Sequence, residues 1–236
     1  MDISVKRILK DIKDLEQSNL NSHGIYHYIF NDDIYNIKVL MIGPSSTPYE
    51  FGFYFFNIVM PNDYPFSPPK VTYCTQNGKT RFNPNLYVNG KVCLSIINTW
   101  SGPRWTSCNT ISSVLLSIQA LVFVENPLHN EPGYEKETGI RNDNYNQLVL
   151  YANFKTAIHK MILNPPSTFE EFNSITIKSF IDNYEKIIKK IEKNKKFHNK
   201  FLNLQIYSMN EKLNYIDLKQ SIENLYNNII NQNKSE

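Results

Sequence analysis

The sequence predicts an α+β fold: a leading helix, a four-stranded antiparallel meander, a central helix, and further helices to the end. Three observations predict it. Val5, Ile8, Leu9 and Ile12 recur at helical spacing with Lys and Asp between them. Residues 25–30, 34–42, 52–60 and 70–75 are short runs rich in β-branched and aromatic side chains. Ile111, Val114, Leu115, Ile118, Leu121 and Val122 then form one apolar helical stripe.

Each element has its own punctuation. The first helix is expected to stop near Ser18-Asn19. Asn31-Asp32-Asp33 marks the first hairpin turn, and Gly43-Pro44 ends the second strand. Four prolines between 61 and 69 block both helix and ladder pairing, so that stretch is an ordered loop. Short turns between consecutive strands imply a meander. From residue 76 to about 108 no regular period survives, and a loop of that length in a compact domain is usually functional. Asn109 or Thr110 caps the central helix. A loop at 125–134, broken by Pro127 and Pro132, precedes a helix from about 142 to 163, which Asn164-Pro165-Pro166 stops.

Beyond Pro166 the composition shifts. Phe169, Phe172, Phe180, Ile181, Tyr184, Ile187, Ile188 and Ile191 keep helical spacing, and seven lysines fall between 186 and 200. A second amphipathic stretch reaches about Ile230. The expected division is therefore a core of 1–164 and a helical extension of 165–236. The lysines read first as a solvated helix face and second as a surface for an acidic partner.

With 236 residues, 41% of them hydrophobic and 20% charged, the chain can bury a sizeable core. A net charge of +3 gives no argument for nucleic acid as a partner. Cys74, Cys93 and Cys108 are odd in number and form no CxxC pair, so neither a disulfide framework nor a zinc ribbon is expected. No signal core opens the chain, and no apolar run approaches the roughly 20 residues of a membrane span. A soluble protein of a reducing compartment is expected. Heavy use of Asn, Ile, Lys and Tyr reads as A/T-rich coding bias.

The chemistry centres on Arg81-Phe-Asn-Pro-Asn-Leu-Tyr-Val-Asn-Gly-Lys-Val-Cys-Leu-Ser95. Asn85 precedes Cys93 by eight residues, and the turns at Pro84 and Asn89-Gly90 fold the segment back on itself. An amide brought close to a thiol suits acyl transfer, whose tetrahedral intermediate carries an oxyanion. Rivals are weaker. Gly78-Lys79-Thr80 lacks the glycine a phosphate loop needs at position 73, where Tyr stands. His23, His27, His129, His159 and His198 show no metal-ligand spacing, so no metal or cofactor is expected. No nucleophile-elbow pattern supports a serine triad. Cys74 falls in a strand and reads as a small core residue. Cys108 precedes a helix, whose N-terminus lowers a thiol pKa, so on pattern alone Cys93 and Cys108 both stand as chemical candidates.

An ordered set of motifs then resembles one family. It comprises Gly43-Pro44, Thr47-Pro-Tyr-Glu50, Met60-Pro61, Tyr64-Pro-Phe-Ser-Pro-Pro-Lys-Val71, Asn83-Pro-Asn85, Asn89-Gly-Lys-Val-Cys-Leu94, Trp105 and Val114-Leu-Leu-Ser-Ile-Gln119. Over roughly residues 1–164 the chain is similar to ubiquitin-conjugating enzymes. Arg81-Phe-Asn-Pro-Asn85, Thr99-Trp-Ser-Gly-Pro103, Ile111-Ser-Ser-Val114 and Glu125-Asn-Pro-Leu-His-Asn-Glu-Pro-Gly-Tyr134 resemble its Z-type members most. The biased composition would suit a large DNA virus or a protist.

The resemblance implies the UBC fold and an acyl carrier without a cofactor of its own. An ATP-dependent activating enzyme hands over ubiquitin, Cys93 holds it as a glycyl thioester, and a substrate lysine or a ligase cysteine takes it. Asn85 matches the asparagine that stabilises the oxyanion or orders the loop. Phe66, Ser107 and Cys108 match the surface for ligases and the activating enzyme. The implied setting is the cytoplasm, with the nucleus second, or the host cytoplasm for a viral member; neither membrane nor nucleic acid is an implied partner.

Three departures stand out: Asn83 replaces the common histidine, Ser95 stands where many members have an acid, and the loop 128–131 differs in length from the common acidic gate. His129 and Glu131 are candidates for desolvating or deprotonating the lysine, and fixing the loop is an equal alternative. The 100–104 insertion is Z-like. A ubiquitin-like modifier in place of ubiquitin, and a non-catalytic ubiquitin-binding scaffold, are the competing functions; scaffolds normally lack the cysteine.

Overall fold

Asp2 accepts a hydrogen bond from the amide of Ser4 and so caps the first helix, α1 (Ile3–Gln17), whose stripe of Ile8, Ile12 and Leu15 is buried. The computed structural model describes residues 2–30 and 33–233. Four strands follow: β1 (Ile25–Ile29), β2 (Asn36–Ile42), β3 (Phe53–Val59) and β4 (Lys70–Tyr73). They pair antiparallel in the order β1-β2-β3-β4, the expected meander. The hairpin turn expected at Asn31-Asp32-Asp33 lies partly outside the described residues.

Helix α2 (Ile111–Val122) packs against α1, and the residue after it reaches the inner face of the sheet. Its cap is Thr110, in reciprocal hydrogen bonds with Ser113. Ile111, Val114, Leu115, Ile118 and Val122 are buried as their spacing predicts, but Leu121 is 52% exposed and does not belong to the stripe. Phe123, just past the helix, packs against Tyr54 and Phe56 of β3. Helix α3 (Ile140–Ala152) continues through a π-helical stretch (Asn153–Lys160) into α4 (Met161–Leu163) and stops at Asn164.

The outer sheet face is covered too. Strand alternation sends Lys38, Leu40, Phe53 and Phe55 outward, yet all four are buried. Phe169 and Phe172 lie over Phe55, with centroids 5.1 and 6.2 Å away. Lys38 lies over the Phe169 ring and donates to Asn57 Oδ1 at 2.9 Å, so the buried ammonium is partnered.

The region after Pro166 is helical as expected, with one correction. Between α5 (Asn173–Asn194) and α6 (Tyr215–Asn233) the chain makes a hairpin, β5 (Phe201–Leu204) with β6 (Met209–Lys212). Leu202 and Leu204 are buried while Phe201 and Asn203 are exposed. That is a period of two, but over four residues it is too short to stand out against its helical flanks. Tyr184 of α5 stacks on Tyr226 of α6 at 3.7 Å, and Tyr215 packs on Tyr151 of α3. The buried apolar residues form one continuous cluster from Ile8 to Ile229. Of the seven lysines, Lys186, Lys189, Lys193, Lys196 and Lys200 are exposed. Lys190 instead ties α5 to Glu50 at 2.5 Å.

Candidate active site

The irregular centre of the chain is held by buried hydrogen bonds in place of regular structure. Gly90, at φ 90°, makes the second turn, and its carbonyl accepts from the Tyr73 amide at 2.8 Å, docking the turn on β4. Leu86 bridges to Val92, which closes the segment into the fold-back its turns predict. Asn85 and Cys93 then face each other. The Cys93 amide donates to Asn85 O at 2.9 Å, and Asn85 Nδ2 donates to Cys93 O at 2.5 Å. The side-chain amide therefore orders the loop that carries the thiol. Cys93 is 2% exposed.

Asn83 is the hub beneath them. It is fully buried. Its Oδ1 accepts from the Asn85 amide at 2.8 Å and from Asn130 Nδ2 at 3.3 Å. Its Nδ2 donates to Val122 O at 2.8 Å and to Tyr49 Oη at 3.2 Å. All four bonding capacities of the amide are used. Tyr49 donates in turn to Phe82 O at 2.7 Å, and burial keeps its phenol protonated by pushing its pKa well up. One asparagine thus joins the thiol loop, the end of α2, the 127–131 turn and the β2–β3 connection.

Sequence reasoning missed Thr99 as a support. Its Oγ1 accepts from the Leu94 amide at 2.9 Å and donates to Val92 O at 2.8 Å, bracketing Cys93 on both sides. Thr99 lies in view within a motif, but nothing in the motif gives its contacts. Residues 100–104 are exposed.

The 127–131 turn brings the two proposed lysine activators into different settings. His129 Nε2 lies 2.8 Å from Glu137 O; a carbonyl only accepts, so this nitrogen donates and is spent on the loop. Glu131 accepts from the phenol of Tyr207. Tyr207 sits in the β5–β6 loop, and no sequence signal points to it.

The three expected partner residues lie together at the other end of α2. Phe66 is 72% exposed. Ser107 and Cys108 are exposed just before the Thr110 cap. Their support is buried beneath them. Trp105 Nε1 donates to Pro65 O at 2.7 Å, fixing the proline loop, whose Tyr64–Pro65 bond is cis. Asp11 of α1 accepts from Arg7 Nε at 2.8 Å and from the Tyr64 phenol. Arg7 also donates to Ser107 O and Asn109 O, both at 2.6 Å. Of the remaining thiols, Cys74 is partly buried just after β4, and burial pushes its pKa up. Among the described residues, no group of three or more His, Cys, Asp or Glu could hold a metal ion, and no helix is long and apolar enough to cross a membrane.

The chain has relatives among known proteins. A family model described as ubiquitin-conjugating enzyme matches residues 7–153. The chain belongs to the ubiquitin-conjugating enzyme family. It is 46% identical over 155 residues to ubiquitin-conjugating enzyme E2 Z of Danio rerio, covering 65% of this chain and 47% of that one. The Homo sapiens E2 Z is 44% identical over 155 residues, covering 65% and 44%. The chain thus spans about half the length of these relatives. Among solved structures, the E2 domain of a Toxoplasma gondii ubiquitin conjugating enzyme is 27% identical with a TM-score of 0.50, covering 64% of this chain and 97% of that one. The UBC fold is therefore shared, and the segment from α5 onward lies outside the residues the family model matches.

Proposed function

We propose that this chain is an active ubiquitin-conjugating enzyme that carries ubiquitin as a thioester on Cys93. The carrying observation is the reciprocal pairing of Asn85 and Cys93 on the saturated Asn83 hub, inside the family's frame. The Cys93 thiolate attacks the C-terminal glycyl carbonyl of ubiquitin held on the activating enzyme, whose own cysteine leaves as thiolate. A substrate lysine amine then attacks the Cys93 thioester. The C–S bond breaks, an isopeptide forms, and the amine loses a proton.

Asn85 acts first by ordering the loop. Glu131 presents the carboxylate on the lysine side, while His129 fixes the segment through Glu137. Phe66, Ser107 and Cys108 form the face that meets the activating enzyme and ligases, because an exposed aromatic on a buried, hydrogen-bonded support is suited to a binding surface. Residues 1–164 are the conjugating unit and 165–236 an extension packed on it. The protein works on protein substrates in the cytoplasm, with the nucleus second, or in the host cytoplasm for a viral member, and with neither membrane nor nucleic acid as partner.

The test is a charging assay with activating enzyme, ATP and ubiquitin, read on a non-reducing gel. Wild type and Cys108→Ala should gain one ubiquitin through a bond that reductant breaks. Cys93→Ala should gain none, and Cys93→Ser should gain it slowly through a bond that resists reductant. Charging only by a ubiquitin-like modifier would correct the choice of modifier. Non-covalent ubiquitin binding without charging by any modifier would replace the carrier with a scaffold.

A further inference from the structure

Arg81 opens the active-site segment, and Glu131 closes the turn whose Asn130 bonds to Asn83. One side chain from the far end of the sequence joins them. The ring of Tyr207 lies 4.1 Å from the Arg81 guanidinium carbon, which packs against Tyr87 at 3.6 Å on its other side. The phenol of the same residue donates to Glu131. Met209 Sδ accepts from the Arg81 amide at 3.2 Å, so the hairpin holds this residue by backbone and side chain. Arg81 passes the constraint on: its Nη2 donates to Pro84 O at 2.6 Å, one residue before Asn85.

The backbone that aims Tyr207 is itself unusual. Tyr207 and the next residue, Ser208, have φ of 61° and 50°. Two successive non-glycine residues in the left-handed region are sterically unfavourable and persist only when surrounding contacts hold them. Here those contacts are Arg81, Glu131 and the Tyr145 ring, 6.2 Å from that of Tyr207. Burial, together with the Glu131 carboxylate, keeps the phenol protonated, so it stays a donor. The hairpin lies beyond the residues the family model matches.

We propose that Tyr207 is a positioning residue for lysine transfer: the β5–β6 hairpin is a strap that holds Glu131 and the Arg81–Asn85 segment in their working places. The proposal rests on Cys93 carrying the acyl group. It makes the C-terminal extension part of the active-site support and not only a cover for the sheet. In the proposed function the Glu131 carboxylate serves the lysine amine, which must be placed and must give up a proton. A thiol nucleophile reacts as the thiolate and does not need that carboxylate.

The experiment compares wild type, Tyr207→Phe, Glu131→Gln and the double variant, all as full chains. Each is charged, freed of activating enzyme, and discharged separately to free lysine and to a small thiol, with thermal unfolding measured alongside. Tyr207→Phe keeps the ring on Arg81 and removes only the hydroxyl. Lysine discharge should fall about 10-fold or more, since small misplacements of reacting groups cost up to roughly 100-fold. Charging and thiol discharge should stay within about twofold of wild type, and in the double variant the two losses should not multiply. Lysine discharge unchanged in Tyr207→Phe would overturn the proposal. So would an equal fall toward lysine and thiol, which marks a merely structural ring. A wild-type chain that never charges would refute the carrier reading itself, and this inference with it.

Discussion

Two ends of α2 present opposite solutions. At its C-terminal end, Asn83, Asn85 and Cys93 form a buried site in which the hub amide has every partner it can use. At its N-terminal end, Phe66, Ser107 and Cys108 lie in solvent, and the polar network sits one layer down in Arg7, Asp11, Tyr64 and Trp105. On the proposed function the first region must hold one geometry while bonds are exchanged, and a saturated buried network does that because any other arrangement leaves polar groups unpaired. On the same reading the second must be free to meet partners, and only its support is fixed. On the proposed function, side chains at the first region therefore govern stability and chemistry together, whereas rim side chains at the second govern binding alone.

Substitutions can break that contrast. The largest effect on stability is expected from Asn83→Ala, which leaves the Asn85 amide unpaired and removes the side-chain donors and acceptor that tie Val122, Tyr49 and Asn130 to the thiol loop; chemical denaturation should show a loss of about 3–4 kcal/mol. A loss below about 1 kcal/mol would mean the hub is not the support described. Asn85→Ala should slow lysine discharge by about 10²–10³. Its unfolding midpoint should move less than that of Asn83→Ala, because one of its two links to Cys93 runs through the backbone and survives. Asp11→Ala removes the shared acceptor of Arg7 and Tyr64 and should cost about 2–3 kcal/mol. It should also weaken ligase-stimulated discharge, since Arg7 anchors Ser107. The smallest stability change is expected from Phe66→Ala, within about 0.5 kcal/mol. Ligase stimulation should still drop sharply while unassisted discharge persists; parallel changes in both would erase the distinction between the regions.

The same contrast governs what the sequence reveals. The meander, α1 and α2 are legible because their periods of 2 and 3.6 run long enough to be seen, and Thr110 can be read as a cap from its place before Ile111. The thiol loop is legible because its turns are local: Pro84 and Gly90 fold eight residues back on themselves. The hub role of Asn83 is less so, since Tyr49, Val122 and Asn130 reach it from three distant segments. Tyr207 is not legible at all. It is one of 15 tyrosines, and its partners Arg81 and Glu131 are 126 and 76 residues away in the chain. The hairpin that carries it is too short for its alternation to stand out between two long amphipathic helices. Spacing along a chain reports neighbours within an element; it does not report which loop will close over another.

The central claim is that residue 93 itself bears the acyl group. The most direct measurement uses Cys93→Ser charged with ubiquitin, digested with trypsin and read by peptide mass spectrometry. The account predicts the modifier's C-terminal remnant on the hydroxyl introduced at position 93 and its absence from the peptide holding Cys108. A remnant on Cys108, or on lysines alone with residue 93 unmodified, would contradict it.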